Sequence, residues 1–442
     1  MIISKQVDSA EAKPSLDGTR SLNLLYLVHR LPYPPDKGDR IRAFHIIRHL
    51  SQFANIDLAC LSDEPISEEN QKALERYCRR VAIVKQTSLR KWSQVCAFLG
   101  RGRTATEGAF HSSRLHSLVS HWVAEKRYDA CLASSSAMAP YLQTQELQAV
   151  PAIVDLVDVD SQKWLDYARV ASAPRKWLYQ LEGNRLRRLE QELPTWTRAV
   201  TLISEPEADL YRSFAMPGEI HVISNGVDQV YFKPREIEQE EGCVFVGALD
   251  YLPNIDAASW YCHEVWPEIH RRHPQATMRI VGRQPVSDVC KLSEIPGVEV
   301  VGTVADVRPY LAHAAVVVAP LRIARGLQNK VLEALAMGKA TLASPQALEG
   351  LRDPHDLPAI KASSAREWIS LTDDLIGNSK HRRELGIKGR QYVERRYSWE
   401  NSLGQFESLL GIKSIRNGRP KEIQVNGGIK HNPLALAGGA HP

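Results

Sequence analysis

Short apolar runs alternate with amphipathic helical stretches along almost the whole of this 442-residue chain. The first runs are NLLYLV at 23–28, NIDLACL at 55–61 and VAIVK at 81–85. Near-continuous apolar runs of this length are typical of strands in a parallel sheet that helices cover on both faces. A repeated order of strand, helix and strand therefore predicts right-handed βαβ units and a doubly wound α/β fold.

The second half of the chain repeats this pattern, with expected strands CVFVG, MRIVG, VEVVG, AVVVAP and ATLAS between 243 and 344. Between the halves lies KPREIEQEEG, a polar and charged stretch that is typical of a linker. We therefore expect two Rossmann-like parallel-sheet domains that face each other across a cleft. The expected boundaries are a flexible tail at 1–20, a first domain at 21–232, the linker at 233–242, a second domain at 243–395, a last helix at 396–412 and a flexible tail at 413–442.

Charge and cysteine usage exclude several classes of function. The net charge of +5 gives no nucleic-acid footprint. Seven dispersed cysteines without a CxxC pair suggest neither a zinc site nor a disulfide framework. Neither a secretory h-region nor an apolar run of roughly 20 residues occurs, so we expect a cytoplasmic protein.

Glycines follow three expected strands of the second half, at Gly247, Gly282 and Gly302. A glycine at this position allows a tight turn or a close approach of the backbone to another group. Ligands of open α/β sheets bind beyond the carboxyl ends of the strands. Three such glycines at one edge of a sheet therefore predict a ligand cleft there.

The stretch GLQNKVLEALAMGK, from Gly326 to Lys339, predicts a helix over about 327–337. The backbone of Gly326, Leu327 and Gln328 at its start forms an anion site, which the helix dipole strengthens. The cations Arg322, Arg325 and Lys330 surround this end of the helix. Glu333 stands among apolar neighbours, where a carboxylate needs a partner, and it lies at the right offset for the hydroxyls of a sugar attached to a phosphate.

This stretch resembles the nucleotide-sugar signature of the GT-B glycosyltransferases, in particular the family 4-like group, which has two carboxylates eight positions apart. Glu333 matches the second carboxylate, and Arg325 stands in place of the first. The other matching segments are NLLYLVHRLPYPPDKGDRIRAFH, DLVDVDSQKW, SEPEADLY, ISNGVD, VGALDYLPNIDA and YSWE. Together they are most similar to the glycosyltransferases associated with exosortase and PEP-CTERM exopolysaccharide systems in bacteria.

The resemblance implies a metal-independent, retaining transfer of a sugar from a UDP- or GDP-sugar to a lipid-linked or saccharide acceptor, with no cofactor. Arg325 and Lys330 would neutralise the diphosphate, and Glu333 would bind the ribose hydroxyls. Further donor contacts would come from Gly38 in the first domain and from Gly282, Arg283, Gly302 and Val304 in the second. The last helix would return to the first domain.

Asp158 and Asp160 follow the strand AIVDLV and form a DxD pattern. A metal-binding role would suit the other major glycosyltransferase fold, which has one sheet domain. We therefore expect these acids to face the sugar or the acceptor, with a loop or capping role as the alternative. The serines at 134–136 are expected to form a small-residue loop or a helix cap. Two other functions remain open, nucleotide-sugar epimerisation and non-catalytic sugar binding, whereas GRGRTA at 100–105 lacks the strand that an NAD site requires.

Residues 76–103 carry eight cations and no acid. Within them, Leu89, Trp92, Cys96 and Leu99 lie along one stripe of a predicted helix that basic residues flank. This pattern is typical of an interfacial amphipathic helix, and it is also compatible with a core-facing helix that has a basic rim. We expect a peripheral contact with the inner face of the cytoplasmic membrane.

Overall fold

The computed structural model describes residues 2–6, 22–35, 38–235, 242–324, 326–352 and 356–412, with the backbone alone for 2–6 and for Arg90. These residues form two compact units. The first contains the chain up to Ile223 together with the residues from Leu403 onward, and the second contains Ser224–Ser402. The division falls before the expected linker at 233–242, of which 236–241 lie outside the described residues.

The first unit is built on an eight-stranded sheet with the order β1-β4-β3-β2-β5-β6-β7-β8. Its strands are β1 (Ile2–Gln6), β2 (Leu22–Val28), β3 (Ala54–Ser62), β4 (Arg80–Lys85), β5 (Ala130–Ser134), β6 (Ala152–Val157), β7 (Ala199–Leu202) and β8 (Ile220–Val222). All neighbours pair in parallel except β1, which pairs antiparallel with β4. Leu24, Leu25 and Leu27 of the central strand β2 are fully buried, because helices cover both faces of the sheet.

The helices of this unit follow the strands in the expected alternation. They are α1 (Gly38–Leu50), α2 (Glu68–Glu75), α3 (Ser88–Gly100), α4 (Ala105–Phe110), α5 (Ser113–Glu125), α6 (Asp160–Val170), α7 (Arg175–Trp196) and α8 (Glu205–Arg212), with short 3-10 helices at Ser136–Leu142 and Gln145–Leu147. Capping fixes several of their starts. Thr104 and Glu107 form a capping box at α4, and the Ser112 hydroxyl accepts a hydrogen bond from the Leu115 amide at α5.

The second unit contains a six-stranded parallel sheet with the order β11-β10-β9-β12-β13-β14. Its strands are β9 (Cys243–Val246), β10 (Met278–Val281), β11 (Val298–Gly302), β12 (Val316–Ala319), β13 (Thr341–Ala343) and β14 (Ile360–Lys361). Its helices are α9 (Leu252–Glu264), α10 (Trp266–Arg272), α11 (Ser287–Cys290), α12 (Arg308–His313), α13 (Asn329–Ala336), α14 (Pro345–Leu348), α15 (Ala365–Gly377) and α16 (Ser379–Arg396), and a 3-10 helix spans Lys291–Glu294. The next helix, α17 (Trp399–Leu409), begins in this unit, and its residues from Leu403 onward belong to the first. Phe245, Trp266 and Trp368 are completely or almost completely buried in its core.

In both sheets the strand order reverses at one point. In the first sheet, β2, β3 and β4 follow one another in one direction, and β5 then pairs with the other edge of β2. In the second sheet, β9, β10 and β11 do the same, and β12 then pairs with the other edge of β9. The carboxyl ends of the strands at such a reversal leave a crevice in which ligands of open α/β sheets bind. Each unit therefore has one favoured position for a site.

The doubly wound α/β fold predicted from the sequence is confirmed, and every predicted strand is present. Three further strands, β1, β8 and β14, lie where no apolar run predicts one. The predicted helix at 327–337 is shorter, from Asn329 to Ala336. Every helix in the described ranges is either too short or too polar to span a bilayer.

Candidate functional site

Glycines at the ends of three adjacent strands lie side by side in the second unit. The Gly247 amide donates to the Val281 carbonyl over 3.0 Å, and the Gly282 amide donates to the Gly302 carbonyl over 2.8 Å. A Cβ atom on Gly282 would lie 1.6 Å from the Gly247 oxygen, so only glycine fits there. Gly302 has a φ of 74°, which glycine adopts without strain. The glycines therefore keep the backbone of this sheet edge close together, as the sequence predicts.

Helix α13 begins at the same edge, after the loop that follows β12. Gln328 is its N-cap residue, and the Gln328 carbonyl accepts a hydrogen bond from the Val331 amide over 3.0 Å. Leu327 packs against the core, and Gly326 has a φ of 63°. Arg325, which we expected beside this end, lies outside the described residues. The first amides of a helix have no partner within the helix and favour a negatively charged group.

Lys330 extends from the first turn of α13 towards the end of β9. Its Nζ donates to Asn254 Oδ1 over 2.5 Å and lies 4.8 Å from the centre of the Phe245 ring. A Cβ on Gly247 would come within 3.1 Å of this Nζ. Burial lowers the pKa of Lys330 to about 7, although the charge of Glu333 opposes this shift. The ammonium group thus lies at the reversal of the strand order, between β9 and β12.

Glu333 lies one turn further along α13 and is partly buried. Burial raises the pKa of its carboxyl to about 7, and the charge of Lys330 acts in the opposite direction. Burial also raises the pKa of Tyr231 to about 12, and the charges of Asp306 and Glu333 contribute to this shift. Arg308 lies 3.7 Å above the Tyr231 ring, where its guanidinium donates to both carboxylate oxygens of Asp306. Tyr231, Asp306 and Arg308 thus form one group of contacting side chains, and the charge of Glu333 acts on its tyrosine.

The remaining residues predicted at this edge have different surroundings. Arg322 donates to Asp256 of α9, so a protein carboxylate already matches its charge. Arg283 follows β10, and its carbonyl accepts a hydrogen bond from the Leu249 amide over 2.9 Å. Val304 follows β11 and packs against the apolar cluster around Val244.

In the first unit, strained backbone marks the ends of β5 and β6. Ser135 has a φ of 74° and Val157 a φ of 70°, a region that β-branched residues rarely adopt. The register between β6 and β7 shifts between Asp155 and Val157. The buried Ser135 hydroxyl has no hydrogen-bond partner among the described residues. Strain of this kind is concentrated at functional sites in proteins.

Asp160, the first residue of α6, lies at this edge with Ser136. The Ser136 hydroxyl donates to Asp160 Oδ2 over 2.8 Å. Burial raises the pKa of Asp160, and this hydrogen bond together with the charges of Lys163 and His29 opposes the shift. Asp158 lies two residues earlier, and its amide donates to the Leu156 carbonyl over 2.9 Å. The serine run thus contributes one hydrogen-bond donor to the Asp160 carboxylate.

Two buried glutamates accept hydrogen bonds from backbone amides at the start of α6. Glu207 accepts a hydrogen bond from the Val159 amide over 2.8 Å, and Glu190 accepts one from the Ser161 amide over 3.0 Å. Burial raises the pKa of Glu190 to about 8, and the charge of Asp160 adds to this shift. These bonds fix the position of Asp160 because they satisfy the amides on both sides of it.

His29 in the loop after β2 and Asp39 in the first turn of α1 lie at the same reversal point. His29 Nε2 lies 3.3 Å from Asp39 Oδ2, and Arg30 Nη1 lies 3.1 Å from the same oxygen. Burial would raise the pKa of Asp39, but the His29 hydrogen bond and the charges of His29 and Arg30 hold it well below its usual range. Gly38 is the first residue of α1 and is exposed.

The structure brings Gly247, Gly282, Gly302, Lys330 and Glu333 to one sheet edge of the second unit. Asn254, Tyr231 and His29 were not predicted as site residues, although Asn254 belongs to the segment VGALDYLPNIDA and His29 directly follows a strand. Within the ranges that the structure describes, no three His, Cys, Asp or Glu side chains form a group that could hold a metal ion.

Comparisons with known proteins agree with this geometry. The sequence model of the family described as Glycosyl transferases group 1 matches residues 240–376, which include Lys330 and Glu333. No curated protein matches the chain.

Solved structures with the same fold cover almost the whole chain. A sucrose-phosphate synthase from Thermosynechococcus elongatus has a TM-score of 0.64 at 16% identity, over 88% of this chain and 98% of that one. HepE of Anabaena in complex with UDP and glucose has a TM-score of 0.63 at 12% identity, over 88% and 99%. A UDP-forming α,α-trehalose-phosphate synthase from Burkholderia xenovorans has a TM-score of 0.57 at 11% identity, over 88% and 99%. The chain has the two-domain GT-B fold of these structures, and its residues 240–376 match the sequence model of the glycosyl transferases group 1 family.

Proposed function

We propose that this protein is a retaining glycosyltransferase that moves a sugar from a UDP-sugar to a lipid-linked or saccharide acceptor in bacterial exopolysaccharide synthesis. The observation that carries the proposal is the pair Lys330 and Glu333 at the start of α13, inside the segment that matches the glycosyltransferase family. Uridine as the base is favoured by the similar structures that contain UDP or are described as UDP-forming. The exopolysaccharide role rests on the resemblance of the sequence segments.

Each part of this site has a defined task in the transfer. Negative charge develops on the leaving diphosphate, and preorganised donors stabilise it. The first amides of α13 and the Lys330 ammonium supply these donors, with Arg325 as a further cation in the sequence. Glu333 binds the ribose hydroxyls, and the Tyr231 ring with Arg308 forms the adjacent wall. Donor binding raises the pKa of Lys330, because a nearby anion favours the charged form.

Asp160 is our candidate for contact with the sugar or the acceptor. Its carboxyl lies beside the strained ends of β5 and β6, and Ser136 with the buried Glu190 and Glu207 fixes its position. Asp158, in the loop before α6, is the second acid that we assign to this task. Asp160→Asn should lower transfer while the affinity for UDP, measured by calorimetry, stays unchanged. A proportional loss of UDP affinity would contradict this assignment.

Helix α3 supports a peripheral contact with a membrane. Leu89 and Trp92 are 85% and 68% exposed, whereas Phe98 is buried, so the predicted apolar stripe does not face the core. Some of the predicted cations act within the protein. Arg79 and Arg80 donate to the buried Asp57, and Arg103 donates to Glu107. Arg101 is exposed, and Lys91, at the start of α3, lies 3.8 Å from Asp63. Reversal of Lys91 and Arg101 to glutamate should reduce co-sedimentation with anionic vesicles.

Mass spectrometry and NMR of the products test the reaction, since NMR distinguishes anomers and epimers that have the same mass. The protein is incubated with a panel of UDP-sugars and either saccharides or polyprenyl-linked sugars as acceptors. Release of UDP together with a new glycoside that keeps the anomeric configuration of the donor supports the proposal. An isomerised donor without UDP release would identify an epimerase, and binding without any product would identify a sugar-binding protein. Lys330→Ala should abolish turnover, and Lys380→Ala, an exposed lysine of α16, serves as the matched control.

Metal independence has its own test. Because helix amides and side-chain cations meet the diphosphate charge in this proposal, turnover should persist in EDTA. Loss of turnover in EDTA that Mn²⁺ restores would assign the charge neutralisation to a metal ion, and Asp158 and Asp160 would become its first candidate ligands.

A further inference from the structure

Large apolar side chains are exposed around the turn between α6 and α7. Val170 is 75% exposed, Trp177 70%, Leu178 57% and Leu181 42%. Single exposed apolar residues are common on protein surfaces, but a contiguous group marks a site of interaction. None of these residues belongs to the candidate site described above.

Three of the four exposed residues lie on one face of α7, and Val170 is the last residue of α6. Trp177, Leu178 and Leu181 have the spacing i, i+1 and i+4, which places them on the same side of a helix. Leu186 and Leu193 on the opposite side are completely buried. The apolar surface is limited to the start of α7, because polar residues, Asn184 and Arg188, occupy exposed positions further along the helix.

Close packing holds this part of α7 in place. A Cβ on Gly183 would lie 2.8 Å from the Leu165 side chain of α6, so the two helices are in tight contact. The ring of Tyr179 lies 5.5 Å from that of Trp164 and 6.0 Å from that of Tyr167. The apolar face is therefore presented by a rigid pair of helices.

Helix α4 joins α7 to α3, which carries the other exposed tryptophan of this unit. Glu182 of α7 accepts hydrogen bonds from the Ala105 and Thr106 amides over 2.6 and 2.8 Å. On its other side, Gly108 of α4 packs against Val95 of α3, where a Cβ would come within 2.8 Å of the Val95 Cα. The exposed starts of α3 and α7 thus belong to one layer of packed helices.

Cations accompany the apolar face. From Arg169 to Leu181 the chain carries three cations and no acid. Arg169 pairs with Asp166 over 3.1 Å, whereas Arg175 and Lys176 are exposed and form no ion pair with any residue that the structure describes. A second copy of the chain would bring the same positive charge to this face, so self-association through it is unfavourable. A negatively charged partner fits the face better.

We propose that the first two turns of α7 enter the interfacial region of an anionic lipid bilayer. Tryptophan favours the boundary between the headgroups and the acyl chains. Leu178, Leu181 and Val170 supply apolar area for the same layer, and Arg175 with Lys176 lies next to the lipid phosphates. The proposal deepens the membrane contact proposed for α3, and it does not depend on the chemistry of sugar transfer.

Vesicle binding by the full chain tests the proposal. Wild-type protein should sediment with vesicles of phosphatidylcholine and phosphatidylglycerol but not with phosphatidylcholine alone, and binding should fall with salt. The Trp177→Ser/Leu178→Ser/Leu181→Ser variant should bind at least about tenfold more weakly, because it loses most of the inserted apolar area. Val230→Ser, at an exposed apolar residue of the second unit, is the control.

The charge contribution is tested with a matched pair of variants. Arg175→Glu/Lys176→Glu should lose binding, while Lys380→Glu/Arg383→Glu, which has the same change of net charge on α16, should retain most of it. Calorimetry with UDP should give wild-type affinity for every variant, which separates this proposal from the assignment of the donor site. Fluorescence identifies the inserted residue, since Trp177→Phe should reduce the blue shift that anionic vesicles produce.

Two results would overturn the proposal. One is equal sedimentation of the wild type and the triple serine variant with anionic vesicles. The other is a wild-type dimer in light scattering that the triple variant converts to a monomer, since the face would then be an interface between two copies.

Discussion

Lys330 and Glu333 lie one turn apart on α13, and burial shifts the pKa of each of them to about 7 from opposite directions. Burial disfavours the charged form of both groups, and their mutual attraction compensates only in part. Lys330 also donates a hydrogen bond to the side chain of Asn254. The pair is therefore poised to change its charge when an anion arrives, and the donor affinity should depend on pH in a defined way.

We expect the affinity for UDP-glucose to be highest near pH 7 and to fall on both sides. Above this pH, Lys330 loses its proton and its attraction for the diphosphate. Below it, Glu333 gains a proton and loses its charge-assisted bond to the ribose. Calorimetry over roughly pH 5 to 9 measures this profile, since UDP-glucose has no terminal phosphate that titrates in the range. Lys330→Met should remove the alkaline limb and Glu333→Gln the acidic limb, and a flat wild-type profile would contradict the assignment.

Glu333→Ala should weaken UDP binding about ten- to a hundredfold, because a charge-assisted hydrogen bond contributes about 1.5–3 kcal/mol. The fold should be unaffected, and the melting temperature without ligand checks this. Glu384→Ala, at an exposed acid of α16, is the control and should bind UDP as the wild type does. Comparison with a dideoxyribose analogue of UDP makes the test specific. If the variant discriminates against the analogue as strongly as the wild type, the ribose assignment is wrong.

Gly282→Ala should destabilise the second unit by about 3 kcal/mol, because the new Cβ would overlap the Gly247 oxygen and the backbone must move apart. The same movement should weaken donor binding. Gly377→Ala offers a control at the end of α15, where no atom lies within 4 Å of the added Cβ. It should be neutral or stabilising by up to about 1 kcal/mol, since alanine favours the helix. Urea denaturation compares the two, and equal midpoints would show that the glycine contact is not required.

Glu190→Gln should reduce the dependence of stability on pH. The folded-state pKa of Glu190, about 8, lies above its unfolded value, so its protonated form stabilises the fold. This contribution is complete below the unfolded pKa and is lost as the pH rises through about 8. The melting temperature of the wild type should therefore fall more between about pH 6 and pH 9 than that of the variant. Glu192→Gln, at an exposed position of the same helix, should follow the wild type.

Strands that are buried on both faces could be predicted from the sequence, because a near-continuous apolar run is stable only in the interior of a sheet that helices cover on both sides. The strands that were not predicted lack such an apolar run. β8 has three residues, all partly exposed, and β14 has two, so sheet pairing and not side-chain burial determines them. The predicted core-facing alternative for α3 is wrong, because Leu89 and Trp92 are exposed.

Charged residues of the candidate site could be predicted where one segment contains them, as for Lys330 and Glu333. Contacts between distant segments could not. Asn254 precedes Lys330 by 76 residues. No local sequence pattern indicates that the side-chain oxygen of Asn254 accepts a hydrogen bond from the Lys330 ammonium group. The salt bridge between Arg322 and Asp256 likewise joins two separate elements. It pairs Arg322, which we predicted beside a phosphate, with a carboxylate of the protein.

The last two turns of α17 belong to the first unit, and this affects how the protein can be made. Leu403 and Phe406 of α17 are completely buried, and Glu407 lies 3.0 Å from His49 of α1. During synthesis on a ribosome, the first 223 residues therefore emerge long before the segment that completes them. A domain usually folds as a unit once its residues are available. The first unit must accordingly wait, partly assembled, until the entire second unit has been translated.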